Sequence, residues 1–271
     1  MTDEILFDLT ERIATLRFNR PQARNALNWA AQEQFAEHLA RVARSDAIRV
    51  LILTGSSDAS ATESAFVAGG DLKELAQGDF EANGQRLSRL MSGALAQMVR
   101  LPVPVIAAVN GHAVGGGCEI LLACDLRLAA PGARLSFAQV RLGLTTGWGG
   151  AARLSALVGR SRAADILLRA RTLSAQEAHD LGLLHAVAGE DEDVLQMARS
   201  WAAELAALPR EALAAMKQLL YATVERDEQR AAQLERRLFN QLWGRPEHRA
   251  ALAAFLDREH GGAAAPGAQG E

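Results

Sequence analysis

Val109-Asn110-Gly111-His112-Ala113-Val114-Gly115-Gly116-Gly117-Cys118-Glu119 is the stretch on which the fold turns. Ahead of it, Pro102-Val103-Pro104 stops a helix, and Val105 to Val109 is apolar enough for a strand buried on both faces. Behind it, Cys118 to Ala123 reads as a helix, so a glycine run opens a helix just after a strand. An amide at a helix N-terminus is an unsatisfied donor reinforced by the helix dipole, and glycine lets a ligand oxygen come close to it. The bland reading of the same run is tight helix packing.

Working outward, the pattern occurs a second time, at Ala65-Phe66-Val67-Ala68-Gly69-Gly70-Asp71-Leu72-Lys73. Asp71 and Glu74 stand at capping-box spacing and predict a helix straight after the two glycines. Upstream, strands over Ile5 to Leu9 and Ile13 to Phe18, a helix over Trp29 to Arg44 and a strand over Val50 to Leu53 make a ββαβ opening, followed by a polar loop around Ser56 to Ser64. Residues 80 to 100 form a long amphipathic helix, and strands are expected near Leu126 to Ala130 and Arg134 to Phe137. A third glycine-to-helix passage lies at Gly147-Trp148-Gly149-Gly150, with helix through Val158. From Ser161 the chain is mostly helical, with a capping box at Ser174 and Glu177 and Ala- and Leu-rich helices from Asp191 to Glu259. Residues 261 to 271 are a Gly/Ala/Pro tail expected to be disordered.

Composition narrows the function classes. An apolar fraction of 49% and a charged fraction of 23% over 271 residues describe an ordinary globular chain. A net charge of -3 gives no footprint for a nucleic-acid backbone. No apolar run reaches the ~18 residues that span a bilayer, and the absence of a leader-like start points to a cytoplasmic setting. Cys118 and Cys124 fit neither a redox pair nor a zinc spacing and read as small buried hydrophobes, so no metal is expected. Lys73 and Lys217 are the only lysines, and neither stands in a pocket motif suited to Schiff-base chemistry. Gly147 to Ala152 matches a loose GxGxxA dinucleotide pattern, but Leu142 to Thr146 is a poor strand and Asp165 falls within a helix. No Walker loop, GxSxG elbow or HExxH pair occurs.

The two glycine segments together closely resemble the oxyanion-hole segments of the crotonase (enoyl-CoA hydratase/isomerase) family. The resemblance extends to Asn19-Arg20-Pro21, Asn25-Ala26-Leu27-Asn28, Cys124-Asp125-Leu126-Arg127 and Leu142-Gly143-Leu144, covering about residues 5 to 259. It implies an α/β fold: a crotonase-like ββα spiral with a helical C-terminal trimerisation region, often with two trimers stacked. The corresponding division is a catalytic core over 1–195, an oligomerisation region over 196–260 and the tail. It also implies an acyl-CoA substrate, a homotrimer or hexamer, and no separate cofactor, coenzyme A being part of the substrate. By position, the amides of Gly70 and Gly116 match the oxyanion pair. Arg24, Asn25, Ala26 and Ala68 match coenzyme A contacts, with Gly69, Asp71, Leu72 and Trp148 expected at the substrate too.

Glu119 matches the first of the two catalytic carboxylates of the hydratases, while the second falls on Gln139. Hydration of a conjugated double bond uses one group that takes a proton from water and another that supplies one to the α carbon. Gln139 can hydrogen-bond but cannot ionise, so it positions a water without acting as base. His112, beside the glycines, reads as a turn histidine and Asp71 as a helix cap. The retained Glu119 favours an enoyl-CoA hydratase/isomerase activity, a lyase reaction. The runner-up is decarboxylation of a branched malonyl-CoA, which needs the oxyanion hole but no base. A non-catalytic CoA-binding protein is the third class.

Overall fold

The computed structural model describes residues 3–57, 64–222 and 225–261. β1 (Ile5–Thr10) and β2 (Ile13–Phe18) form an antiparallel hairpin, and β2 then pairs in parallel with β3 (Val50–Gly55) across α1 (Trp29–Arg44). A parallel return needs a crossover of this kind. Asn28 caps α1, its side chain accepting from the Ala31 amide at 2.8 Å. Ala31, Phe35, Leu39 and Val42 turn one buried stripe of α1 to the core.

From β3 onward each turn gives one strand to each of two sheets. β3, β5 (Val105–Val109) and β7 (Leu126–Ala129) extend the first sheet. β4 (Ala65–Val67), β6 (His112–Val114) and β8 (Arg134–Ser136) build the second. Helices fall between the turns: α2 (Leu72–Leu75), α3 (Phe80–Val99) and α4 (Gly116–Leu122). β9 (Thr172–Ser174) closes the second sheet antiparallel to β8, and β10 (Ala186–Val187) adds a parallel edge to the first. α5 (Gly150–Leu168) and α6 (Ala175–Asp180) lie between β8 and β10. The expected ββα spiral is present, and the capping box of Ser174 and Glu177 forms as read.

The corners where the chain changes sheets are drawn tight. Asn110, between β5 and β6, accepts from the Gly55 amide at 2.9 Å and donates to the Gly55 carbonyl at 3.0 Å, replacing a lost ladder pair. Asp125 at the next corner accepts from the Val105 amide at 2.7 Å, from Lys217 Nζ at 2.7 Å and from the Tyr221 hydroxyl at 3.0 Å. Lys217 is thus buried, although no motif announced it. Its other contacts are the carbonyls of Val103 and Met98. A buried ammonium is tolerable when paired and donated out in this way.

The C-terminal helices are α7 (Val194–Ala206), α8 (Arg210–Ala222), α9 (Glu225–Leu242) and α10 (Pro246–Gly261). Two expectations are corrected. The division at 195 would cut α7, whose Val194, Ala198 and Ala202 pack with Ile13, Val50, Ile52, Ile106 and Leu128 of the first sheet. α7 therefore belongs to the core. The box at Asp71 and Glu74 is half-formed: Asp71 accepts from the Lys73 amide at 3.2 Å, but its own amide is already used by the Leu27 carbonyl. Glu74 turns instead to the Trp29 amide at 3.0 Å. The polar loop at 58–63 and the tail beyond 261 lie outside the described residues.

Candidate active site

Gly69 and Gly70 leave β4, and Gly115 and Gly116 leave β6, so the pairing of β4 with β6 sets the two glycine segments side by side. Gly69 has φ +85° and Gly115 φ +55°, conformations that favour glycine. A Cβ on Gly69 would lie 3.1 Å from the Gly116 amide nitrogen, which shows how closely the segments abut. The Leu27 amide donates to the Gly69 carbonyl at 2.7 Å, holding the first segment from outside. Among the described residues neither the Gly70 amide nor the Gly116 amide donates to a protein acceptor.

Both amides border a cavity of about 530 Å³. Of the residues singled out from sequence, Arg24, Ala68, Gly69, Gly70, Leu72, Gly116, Glu119, Gln139 and Trp148 line it. A second recess of about 200 Å³ shares Arg24, Ala68, Gly70 and Leu72 with it and adds Ala26, Asp71 and Lys73. Asn25 lines neither, and its side chain braces the loop. Its buried side chain accepts from the Arg20 amide and donates to the carbonyls of Ser56 and Ala65. That anchor holds Arg24 and Asn25 at positive φ, 52° and 55°. Asp71 also accepts from Arg20 at 2.7 Å in a partly buried ion pair.

Glu119 sits in the first turn of α4, only 2% exposed. Its Oε1 accepts from the Gly147 amide at 3.3 Å and Gln139 Nε2 at 3.2 Å. Its Oε2 accepts from the Trp148 amide at 2.7 Å and the Gly150 amide at 3.0 Å. Burial raises its pKa, and the charge of Glu235 raises it further, against the opposing pull of these amides, to about 8. Gln139 therefore lies beside Glu119, with its own Oε1 buried and without a hydrogen-bond partner among the described residues.

Glu235 is the site residue that the sequence did not disclose. It stands on α9 one turn before Phe239 and two before Trp243, and all three are buried. Its Oε1 accepts from the amides of Gly149 at 2.7 Å and Gly150 at 3.0 Å, and its Oε2 from Ala151 at 3.2 Å. The GxGxxA segment thus does present a nest of amides, but two of the protein's own carboxylates fill it. Phe239 of α9 and Trp243 just past its end, with Phe255 and Arg258 of α10, cover the cavity.

The enoyl-CoA hydratase/isomerase family model matches residues 8–261. This chain belongs to that family. A crotonyl-CoA hydratase of Syntrophomonas wolfei is 33% identical, the match covering 94% of this chain and 96% of the relative. A 2,3-dehydroadipyl-CoA hydratase of Escherichia coli is 34% identical over 94% of this chain and 96% of its own. Among solved structures, an enoyl-CoA hydratase/isomerase of Mycobacterium paratuberculosis superposes with a TM-score of 0.86 at 26% identity, covering 94% of this chain and 99% of that one. The crotonase fold expected from the glycine segments is the fold of this chain. No helix among the described residues is long and apolar enough to cross a membrane.

Proposed function

We propose that the protein hydrates a 2-enoyl-CoA, the thioester oxygen being received by the amides of Gly70 and Gly116. The observation that carries this reading is the pair of acceptor-free amides opening on the same cavity as Glu119. Such preorganised donors stabilise charge that develops on the oxygen as the enolate forms. Glu119, as carboxylate, takes a proton from the attacking water while the water oxygen bonds to the β carbon and the π electrons move onto the thioester. The same proton then passes from Glu119 to the α carbon as the enolate collapses, so one acid can serve both steps. Gln139, 3.2 Å from Glu119, orients the water. The recess bounded by Arg24, Ala26, Asp71 and Lys73 suits the nucleotide end of coenzyme A.

The reading extends to assembly as a homotrimer or hexamer. It is supported by apolar side chains left on the outer helices, with Met216 58% and Leu219 64% exposed.

The second reading, decarboxylation of a branched malonyl-CoA, is favoured by a specific observation: the side chain beside Glu119 is an amide, not an acid. Parallel assays with 2-enoyl-CoA and alkylmalonyl-CoA separate the two. Glu119→Gln is expected to lower hydration by roughly 10²-fold or more. Gln139→Glu is expected to raise it, because the new group keeps its contact with Glu119 only when protonated, the form that can supply the α proton. If hydration is indifferent to both substitutions while alkylmalonyl-CoA is turned over, decarboxylation takes its place.

A further inference from the structure

Five consecutive amides, from Gly147 to Ala151, point at two carboxylates, and the Gly150 amide is 3.0 Å from both. Glu119 takes the amides of Gly147 and Trp148, Glu235 those of Gly149 and Ala151, and Gly150 is shared. One acid comes from the spiral and one from the helical cover, so the turn between them is held from both sides. We infer that Glu235 is a positioning residue for the reaction: from α9 it fixes the amide turn that orients Glu119 and supplies the charge against which Glu119 works.

Three observations support this. Glu235 is 6% exposed, so its carboxylate acts on Glu119 through little water. The two acids bind one amide nitrogen, so neither can move without changing the other's hydrogen bonds. The neighbouring cationic groups bond backbone carbonyls and neither carboxylate. Arg153 of α5 donates to the Trp148 carbonyl at 2.8 Å, and Arg141 donates to the Ala170 carbonyl at 2.9 Å. The His248 ring of α10 meets the Leu142 carbonyl at 2.6 Å, and burial lowers its pKa. Cys118, next to Glu119, is a fully buried thiol whose pKa burial raises. The like charge of Glu235 is the one that raises the pKa of Glu119. The consequence for chemistry, which rests on the hydration reading, is a Glu119 carboxylate that is a stronger base toward the attacking water than an ordinary carboxylate.

Glu119 titrates above the ordinary carboxylate range, so its base form accumulates only as pH rises toward about 8. Hydration that begins with the base form should climb over the same interval. Removing the charge of Glu235 lowers the affinity of Glu119 for its proton, and the climb shifts to lower pH.

The test is a difference-infrared titration of the protonated-carboxyl bands of the intact protein, assigned with Glu119→Gln, alongside the pH profile of kcat/KM with crotonyl-CoA. Glu235→Gln is expected to lower the Glu119 midpoint by about one pH unit or more, with the profile moving in step. Glu235→Asp keeps the charge and is expected to hold the midpoint high while loosening the turn. A merely structural cap would lower Tm in both variants and leave the midpoint in place, which overturns the proposal. If Glu235→Gln does not fold, the unaltered protein decides: interacting acids lose their protons in two separated steps. Independent titration of both acids in the ordinary carboxylate range overturns it. Because the infrared arm needs no turnover, it stands even if crotonyl-CoA proves not to be hydrated, and the two readings fail separately.

Discussion

Gly116 and Gly117 are neighbours that a methyl group would break in different ways. A Cβ on Gly116 would lie 2.1 Å from the Trp148 ring, whereas one on Gly117 would lie 1.9 Å from the Val67 carbonyl oxygen. The first obstacle is a side chain that can be exchanged; the second is backbone. Gly116→Ala is therefore expected to turn Trp148 into the cavity and reduce kcat/KM by on the order of 10²-fold, the cost of disturbing an oxyanion donor. Pairing it with Trp148→Leu should recover part of the loss, because the smaller side chain vacates the colliding position. Steady-state kinetics on the single and double variants check this, and equal loss in both would mean that Trp148 is not the obstacle. Glu119 could be singled out by its place after the glycines. Gln139 was marked by the resemblance, but that the amides of Gly147, Trp148 and Gly150 join it around Glu119 follows only from the fold.

At the scale of elements, α4 carries both Gly116 and Glu119, and its first turn lies directly on β4. Gly117→Ala must push that turn away from the Val67 carbonyl. We expect a stability loss of about 1–3 kcal/mol, the usual cost of overpacking, together with lower turnover because the amide and the acid move with the helix. Denaturant unfolding and kinetics measure the two effects, and unchanged values of both would show that α4 can shift freely. α5 shows the reverse relation between pattern and structure. Its glycine-rich start looks like a phosphate cradle, but α9 seats Glu235 there and closes it to other anions. Helix capping by a distant carboxylate leaves no trace in local sequence, because Glu235 occurs on an ordinary amphipathic helix.

For the whole molecule, the outward apolar side chains are the surface on which the proposed assembly is to be tested. Met216 and Leu219 of α8 are exposed, as are Leu234 and Leu238 of α9. An adjoining face of α9 buries Glu235 and Phe239, and Phe239 lines the cavity, so one helix both covers the site and contributes to the outer surface. Light scattering should show a trimer or hexamer at micromolar concentration, and Met216→Asp with Leu219→Asp should reduce it toward monomer. Turnover should fall with dissociation, since nothing else then braces the cover from outside. A stable, fully active monomer would remove the assembly proposal.

What the sequence determined by itself are features written in short-range patterns. Alternating and helical hydrophobic periods placed β1 to β3, α1 and α3, and glycines at two strand-to-helix passages marked the segments in which the family resemblance placed the amides of Gly70 and Gly116. Those signals are local because backbone conformation and amphipathic faces depend on residues a few positions apart. Tertiary structure alone decided which groups meet. It turned Glu74 from its own helix to the Trp29 amide, gave the Asn25 side chain to the Ala65 carbonyl, buried Lys217 against Asp125, and brought Glu235 to the amide that Glu119 also uses. Buried hydrogen-bonding groups must find partners wherever the fold provides them, and those partners lie far along the chain, where no periodicity reports them.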